Sequence, residues 1–250
     1  MKKLTLSLAA LALSAAGTLA LGASGAMAQN VVRIATEGAY PPYNYINDAN
    51  QLDGFEIELG NELCARAELS CEWVITDWDS IIPNLTGGNY DAIMAGMSIN
   101  EQRRQVISFS QNYTPPATSA YVGLSEDADF ESGVVAAQVS TQQAAYIASE
   151  TDATLLEFAT PDETIAAVRN GEADVVFADT DFLLPIVNES GGQLTFVSEQ
   201  IQLGEGVGIG IRQTDTELRE TLDAAITSMK EDGSLNEMIV KWFGADAPVF

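Results

Sequence analysis

From Val31 onward the chain alternates short apolar runs suited to strands with longer runs of helical period, and no other feature constrains its fold as much. "VVRIA" reads as a strand. "GFEIELGNELCARAEL" then sets Phe55, Leu59, Leu63 and Ala67 at helical spacing and assigns the acids to the opposite face. "SCEWVIT" is strand-like, "DWDSIIPNLTGG" a short helix ended by glycines, and "YDAIMAGMSI" a buried strand running into a turn. "NEQRRQV" is a short helix capped by Asn100, followed by the strand "ISFS". A second series begins near Ser119. "SAYVGL", "GVVAAQV", "ATLLEFA", "ADVVFAD" and "GVGIGIR" read as strands, "STQQAAYIASE" as a helix starting at Ser140, and "PDETIAAVRNG" as a helix from Pro161 to Gly171. Helices over "DTELRETLDAAITSMKEDGS" and "LNEMIVKWFG" follow, each ending at glycine. Such alternation predicts parallel sheets, and two similar series predict two α/β lobes. The stiff, polar stretch "YTPPATS" and the glycines of "GEGVGIGIR" mark the two places where the chain crosses between them.

Residues 1–28 have two lysines, a long apolar middle and the small-residue end Ala26-Met27-Ala28, the layout of a cleavable secretory signal. Without Lys2 and Lys3, nine basic residues face 36 acidic ones, a net charge of 9 − 36 = −27. That excludes a protein that tracks nucleic-acid phosphates, which needs a basic face. The 46% apolar content and the dispersed acids exclude a disordered acidic tail. Cys64 and Cys71 stand close together in an exported chain, which predicts a disulfide. There is no histidine, no G-x-S-x-G and no H-E-x-x-H, so neither a zinc site nor a common hydrolytic centre is expected, and no cofactor motif is present.

Ligands in open α/β sheets bind beyond the carboxyl ends of strands, which directs attention to Glu37–Tyr43, Ala95–Arg103, Val139–Gln142 and Asp179. Arg103 is either a solvated charge, as Arg104 is expected to be, or a fork for a ligand carboxylate. Ser140, Thr141 and Gln142 open a helix; Ser140 caps it, or its free amides receive an anion. Asp179 caps the following segment or binds an ammonium group. Tyr40 and Trp78 are core rings or the two sides of a sandwich around an extended or cationic side chain. Together these residues describe a receptor for an α-amino acid.

"LDGFEIELGNELCARAELSCEW" and "IIPNLTGGNYDAIMAGMSINEQRRQVISFSQNY" closely resemble the polar amino-acid branch of the bacterial ABC-transporter solute-binding proteins. The likeness covers essentially the whole mature chain and is greatest to lysine/arginine/ornithine, histidine and opine binders. It implies a type II periplasmic binding-protein fold, with lobe 1 over residues 29–115 and 207–250, lobe 2 over 116–206, and a two-segment hinge. It implies Arg103 as the carboxylate clamp, assisted by Ser98 and the Thr141 amide, and Asp179 as the ammonium partner. Tyr40 and Trp78 become the sandwich, and Glu37 the acid facing a cationic side chain. Ala95 and Gly96 stand where basic amino-acid binders often have serines, so only their backbones can meet a ligand. The Cys64–Cys71 spacing matches a disulfide of that subgroup. The implied partners are an amino acid, most readily arginine, and a membrane permease engaged by a monomer. A cyclohexadienyl dehydratase-like enzyme, with Glu37 as the acid, and a ligand-loaded partner of a sensor protein are the alternatives on the same fold.

Overall fold

Two separate sheets and a small third one organise residues 31–250, the part of the chain that the computed structural model describes. The signal-peptide reading of residues 1–28 lies outside the described residues. The five-stranded sheet runs in the order Cys71–Ile75, Val32–Thr36, Ala92–Ile93, Val207–Ile211, Ser108–Thr114. The six-stranded sheet runs Thr154–Phe158, Val134–Gln138, Val175–Asp179, Thr118–Gly123, Thr195–Phe196, with Ile201–Gln202 also pairing to Thr118–Gly123. These are the sheets of two α/β lobes.

The expectation of parallel sheets holds only in part. Val32–Thr36 is parallel to both neighbours, but Val207–Ile211 is antiparallel to both of its own, and Thr118–Gly123 is antiparallel to Val175–Asp179. Both exceptional strands enter their sheet directly from the other lobe. No helical crossover within the sheet precedes them, so nothing imposes the parallel direction. Thr114 ends a strand of the first sheet and Thr118 begins one of the second. The return passes through Gly206, whose φ is 96°; a Cβ there would lie 2.4 Å from the Thr114 carbonyl oxygen. The two crossings thus run backbone against backbone, as the glycine pattern predicts.

Helix Phe55–Arg66 buries Phe55, Leu59 and Leu63, as its period predicts. Glu56 is buried with them, against the expectation that every acid of this helix faces solvent. The Cys64–Cys71 disulfide forms, joining this helix to strand Cys71–Ile75. Helices Thr216–Asp232 and Ser234–Phe243 complete the same core through Leu222, Ile226, Met229, Leu235 and Ile239. The run "YDAIMAGMSI" yields only the two-residue strand Ala92–Ile93, after which the backbone turns at Gly96 with φ 61°. Helix Thr180–Glu189, with Pro185 inside it, has no counterpart in the sequence reading. The three-stranded sheet Ala39–Tyr40, Asn44–Ile46, Leu52–Asp53 holds "TEGAYPPYNY" as a hairpin, with a cis Pro41–Pro42 bond at its turn.

Candidate functional site

Ten of the eleven sequence-selected residues, all except Ser140, line one cavity between the two sheets. Glu37 follows strand Val32–Thr36, and Asp179 ends strand Val175–Asp179, so the carboxyl-end rule locates both.

Arg103 sits in the short helix Glu101–Arg104, whose Asn100 side chain accepts the Arg103 amide at 2.9 Å, the predicted cap. Arg103 is 8% exposed. Nη1 donates to the Ser98 carbonyl at 2.9 Å and Nη2 to the Ser140 carbonyl at 3.3 Å. Cζ lies 5.1 Å from the Trp78 ring centroid. Among the described residues no carboxylate reaches ion-pair distance of Arg103. Burial accordingly pushes its pKa down to about 10, with the Asp179 charge opposing. A buried guanidinium whose hydrogen bonds go to neutral carbonyls keeps an uncompensated charge, which suits it to an anion. Arg104 behaves differently, forming a bidentate surface pair with Glu205 at 2.8 Å and 2.8 Å.

Asp179 does not act as a side-chain cap for helix Thr180–Glu189. Its carboxylate accepts Gln143 Nε2 at 2.7 Å, the Tyr40 hydroxyl at 2.9 Å and Ser119 Oγ at 3.3 Å. Burial raises its pKa to about 6 despite the Tyr40 bond. Glu37 accepts Gln138 Nε2 at 2.7 Å, and burial lifts it to about 7 against that bond. Two acids that burial makes reluctant to ionise will both gain from a cation.

The helix at "STQQAAYIASE" starts one residue later than expected. Thr141, not Ser140, is the N-cap: its Oγ1 accepts the Ala144 amide at 3.1 Å. Ser140 has φ 59° and is not among the residues that line the cavity; its carbonyl accepts from Arg103. Gln142 lines the cavity but also links the lobes, donating to Ser98 Oγ at 3.1 Å, and it donates within its own lobe to the Leu203 carbonyl at 3.3 Å. Gly96 spends its amide on Glu56 at 2.8 and 2.9 Å, so that amide does not face the cavity; Ala95 lies beside it in the wall. The rings of Tyr40 and Trp78 each have one face or edge already engaged. Tyr40 stacks on Phe182 at 4.4 Å, and Trp78 donates Nε1 to the Val139 carbonyl at 3.0 Å.

Gln138, Gln143, Pro161, Thr164 and Phe177 also line the cavity and were not singled out from the sequence. Gln138 is the penultimate residue of a predicted strand and Gln143 follows a predicted helix start, so position pointed to both; a neutral amide simply carries no charge signal. Phe182 escaped because its helix did.

Two α/β lobes, joined twice and enclosing a cleft of buried, mutually unpaired charges, define a solute-binding type of protein. Residues 32–245 match the model of the bacterial extracellular solute-binding proteins, family 3, and the chain belongs to that family. Among solved structures it is similar to the lysine complex of a periplasmic His/Glu/Gln/Arg/opine family-binding protein from Silicibacter pomeroyi, with 67% identity and a TM-score of 0.86, covering 88% of this chain and 100% of that one. An L-arginine-binding protein of Pseudomonas aeruginosa is 31% identical over 98% of both chains. The lysine/arginine/ornithine-binding periplasmic protein of Escherichia coli is 29% identical over 97% of both. No helix among the described residues is long and apolar enough to cross a membrane.

Proposed function

We propose that this protein is the solute-binding component of an amino-acid ABC importer, and that its ligand is a basic α-amino acid such as arginine or lysine. The observation that carries the reading is the buried Arg103 guanidinium without a carboxylate partner among the described residues. It takes the ligand carboxylate, with the Thr141 end of helix Gln142–Glu150 beside it. Asp179 takes the α-ammonium, and Glu37 meets the side-chain cation between Tyr40 and Trp78. The charges then balance: a ligand of net charge +1 enters a site whose Arg103, Asp179 and Glu37 sum to −1. The lysine bound by the Silicibacter pomeroyi relative and the arginine named for the Pseudomonas aeruginosa one support the same class.

In mechanism, residues 31–115 and 207–250 form one lobe and 116–206 the other, and they close about the two crossings, as periplasmic binding proteins do. Closure brings Asp179 and the Thr141 turn onto a ligand first held by Arg103. A micromolar complex corresponds to about −8 kcal/mol, which must include the cost of closing. The protein acts as a periplasmic monomer after removal of residues 1–28 and delivers its ligand to a permease; catalysis has no part in this mechanism. The test is calorimetric titration of ligand-stripped protein, produced from Gln29, with L-arginine, L-lysine, L-histidine, octopine, L-glutamine and L-glutamate. Tight binding confined to cationic or opine ligands supports the reading. Preference for glutamine or glutamate refutes it.

A further inference from the structure

Glu56 is 0% exposed and yet is not among the residues that line the cavity. Its carboxylate accepts the Gly96 amide at 2.8 and 2.9 Å, Asn44 Nδ2 at 2.8 Å, and the Tyr113 hydroxyl. Asn44 extends the chain of bonds, since its Oδ1 accepts the Gly38 amide at 2.7 Å. One carboxylate therefore ties together the turn that carries Glu37, the loop that carries Ala95 and Gly96, and strand Ser108–Thr114, which leads into the first crossing. The backbone adds a second tie, because the Phe55 and Glu56 amides donate to the Pro42 and Tyr43 carbonyls at 2.9 and 2.8 Å. These walls touch: a Cβ on Gly96 would stand 3.3 Å from the Tyr40 ring. A shift of a few tenths of an ångström between them changes the space beside Tyr40.

A packing role alone does not call for this chemistry, because apolar residues of similar volume commonly serve as well as a buried charge. The Gly96 and Asn44 N–H groups can only donate, so the group between them must accept from both, and a carboxylate accepts the Tyr113 hydroxyl as well. Burial raises the Glu56 pKa, and these three bonds oppose that rise.

We propose that Glu56 is a positioning residue for ligand selectivity: it fixes Glu37 and Tyr40 against the Gly96 loop, so that a cationic side chain meets its acid at a set distance. The proposal rests on the basic amino-acid reading above. Its test compares the affinities of wild type, Glu56→Gln and Tyr113→Phe for L-arginine and L-glutamine by calorimetry at pH 8, with thermal unfolding as a fold control. Glu56→Gln is expected to cut the arginine-over-glutamine preference about tenfold or more, as loss of a hydrogen bond to a charged group predicts, and Tyr113→Phe about threefold, because the Gly96 and Asn44 bonds to Glu56 remain. A Glu56 that only supports the fold would weaken both ligands by one factor, and that result overturns the proposal. If Glu56→Gln does not fold, the preference of Tyr113→Phe decides by the same criterion. The two readings fail separately. A wild type that does not prefer arginine sinks the basic-ligand reading, and an unchanged preference in the variants, whichever ligand is preferred, sinks the positioning role.

Discussion

Replacing Glu37 by glutamine removes one charge at the cavity wall while keeping the shape and an oxygen for Gln138, its partner at 2.7 Å. A charge-assisted hydrogen bond contributes about 1.5–3 kcal/mol, so the variant should bind arginine roughly 10- to 150-fold more weakly at pH 8. Glutamine makes no such contact. It should bind with nearly unchanged affinity, or slightly better, because a buried carboxylate that glutamine leaves without a cation has gone. The pH dependence supplies an independent reading. Burial raises the free-state Glu37 pKa to about 7, and a cationic side chain next to it lowers that value in the complex. The complex then holds fewer protons than the free protein, so arginine affinity rises with pH and levels off above about 7. At pH 6 roughly a tenth of Glu37 is ionised, and affinity should be about tenfold below the plateau. Glu37→Gln should lose this slope and keep only a fall below about pH 6, where Asp179 takes up its proton. Calorimetry of both proteins with both ligands from pH 5.5 to about 8.5 provides the data. Equal weakening of arginine and glutamine, or an unaltered pH slope in the variant, would refute the assignment of Glu37.

Arg103→Met should reduce the affinity for every α-amino acid by about 100-fold or more, since it removes the clamp for the group they share; retained binding in calorimetry contradicts this. Tyr43→Phe removes the hydroxyl that donates to Asp181 across the cleft at 3.1 Å, and neither residue lines the cavity. It should weaken all ligands alike, about fivefold, by destabilising the closed form; a change in the arginine-to-glutamine ratio would count against a latch. The double substitution Cys64→Ser with Cys71→Ser should lower unfolding free energy in urea by about 2–3 kcal/mol through loss of the loop constraint, with arginine affinity kept. A large loss of affinity would mean that the disulfide shapes the site.

Much of this architecture was legible because its elements follow one period each. The helix Phe55–Arg66 and the strands Val32–Thr36, Val134–Gln138 and Val175–Asp179 announce themselves by apolar spacing, and the carboxyl ends of the first and last of these strands locate Glu37 and Asp179. Glu56 is legible by position but not by type: it stands three residues before Leu59 and seven before Leu63, on the buried stripe, while its charge argues for solvent. Helix Thr180–Glu189 was hidden by Pro185, an internal breaker. The shift of the helix start from Ser140 to Thr141 lies in one backbone torsion, the positive φ of Ser140, which a serine does not advertise. The antiparallel strands Thr118–Gly123 and Val207–Ile211 were misjudged for a topological reason, since strand direction is set by the inter-lobe crossings and not by local pattern.

The most direct test of the central claim, a cleft built for a basic α-amino acid, is a crystal structure of the protein grown with L-arginine. The expected density places the α-carboxylate on Arg103, the α-ammonium on Asp179 and the guanidinium on Glu37 beside the Tyr40 and Trp78 rings. Arginine bound in the opposite sense, with its carboxylate away from Arg103, or bound outside this cavity, would contradict it.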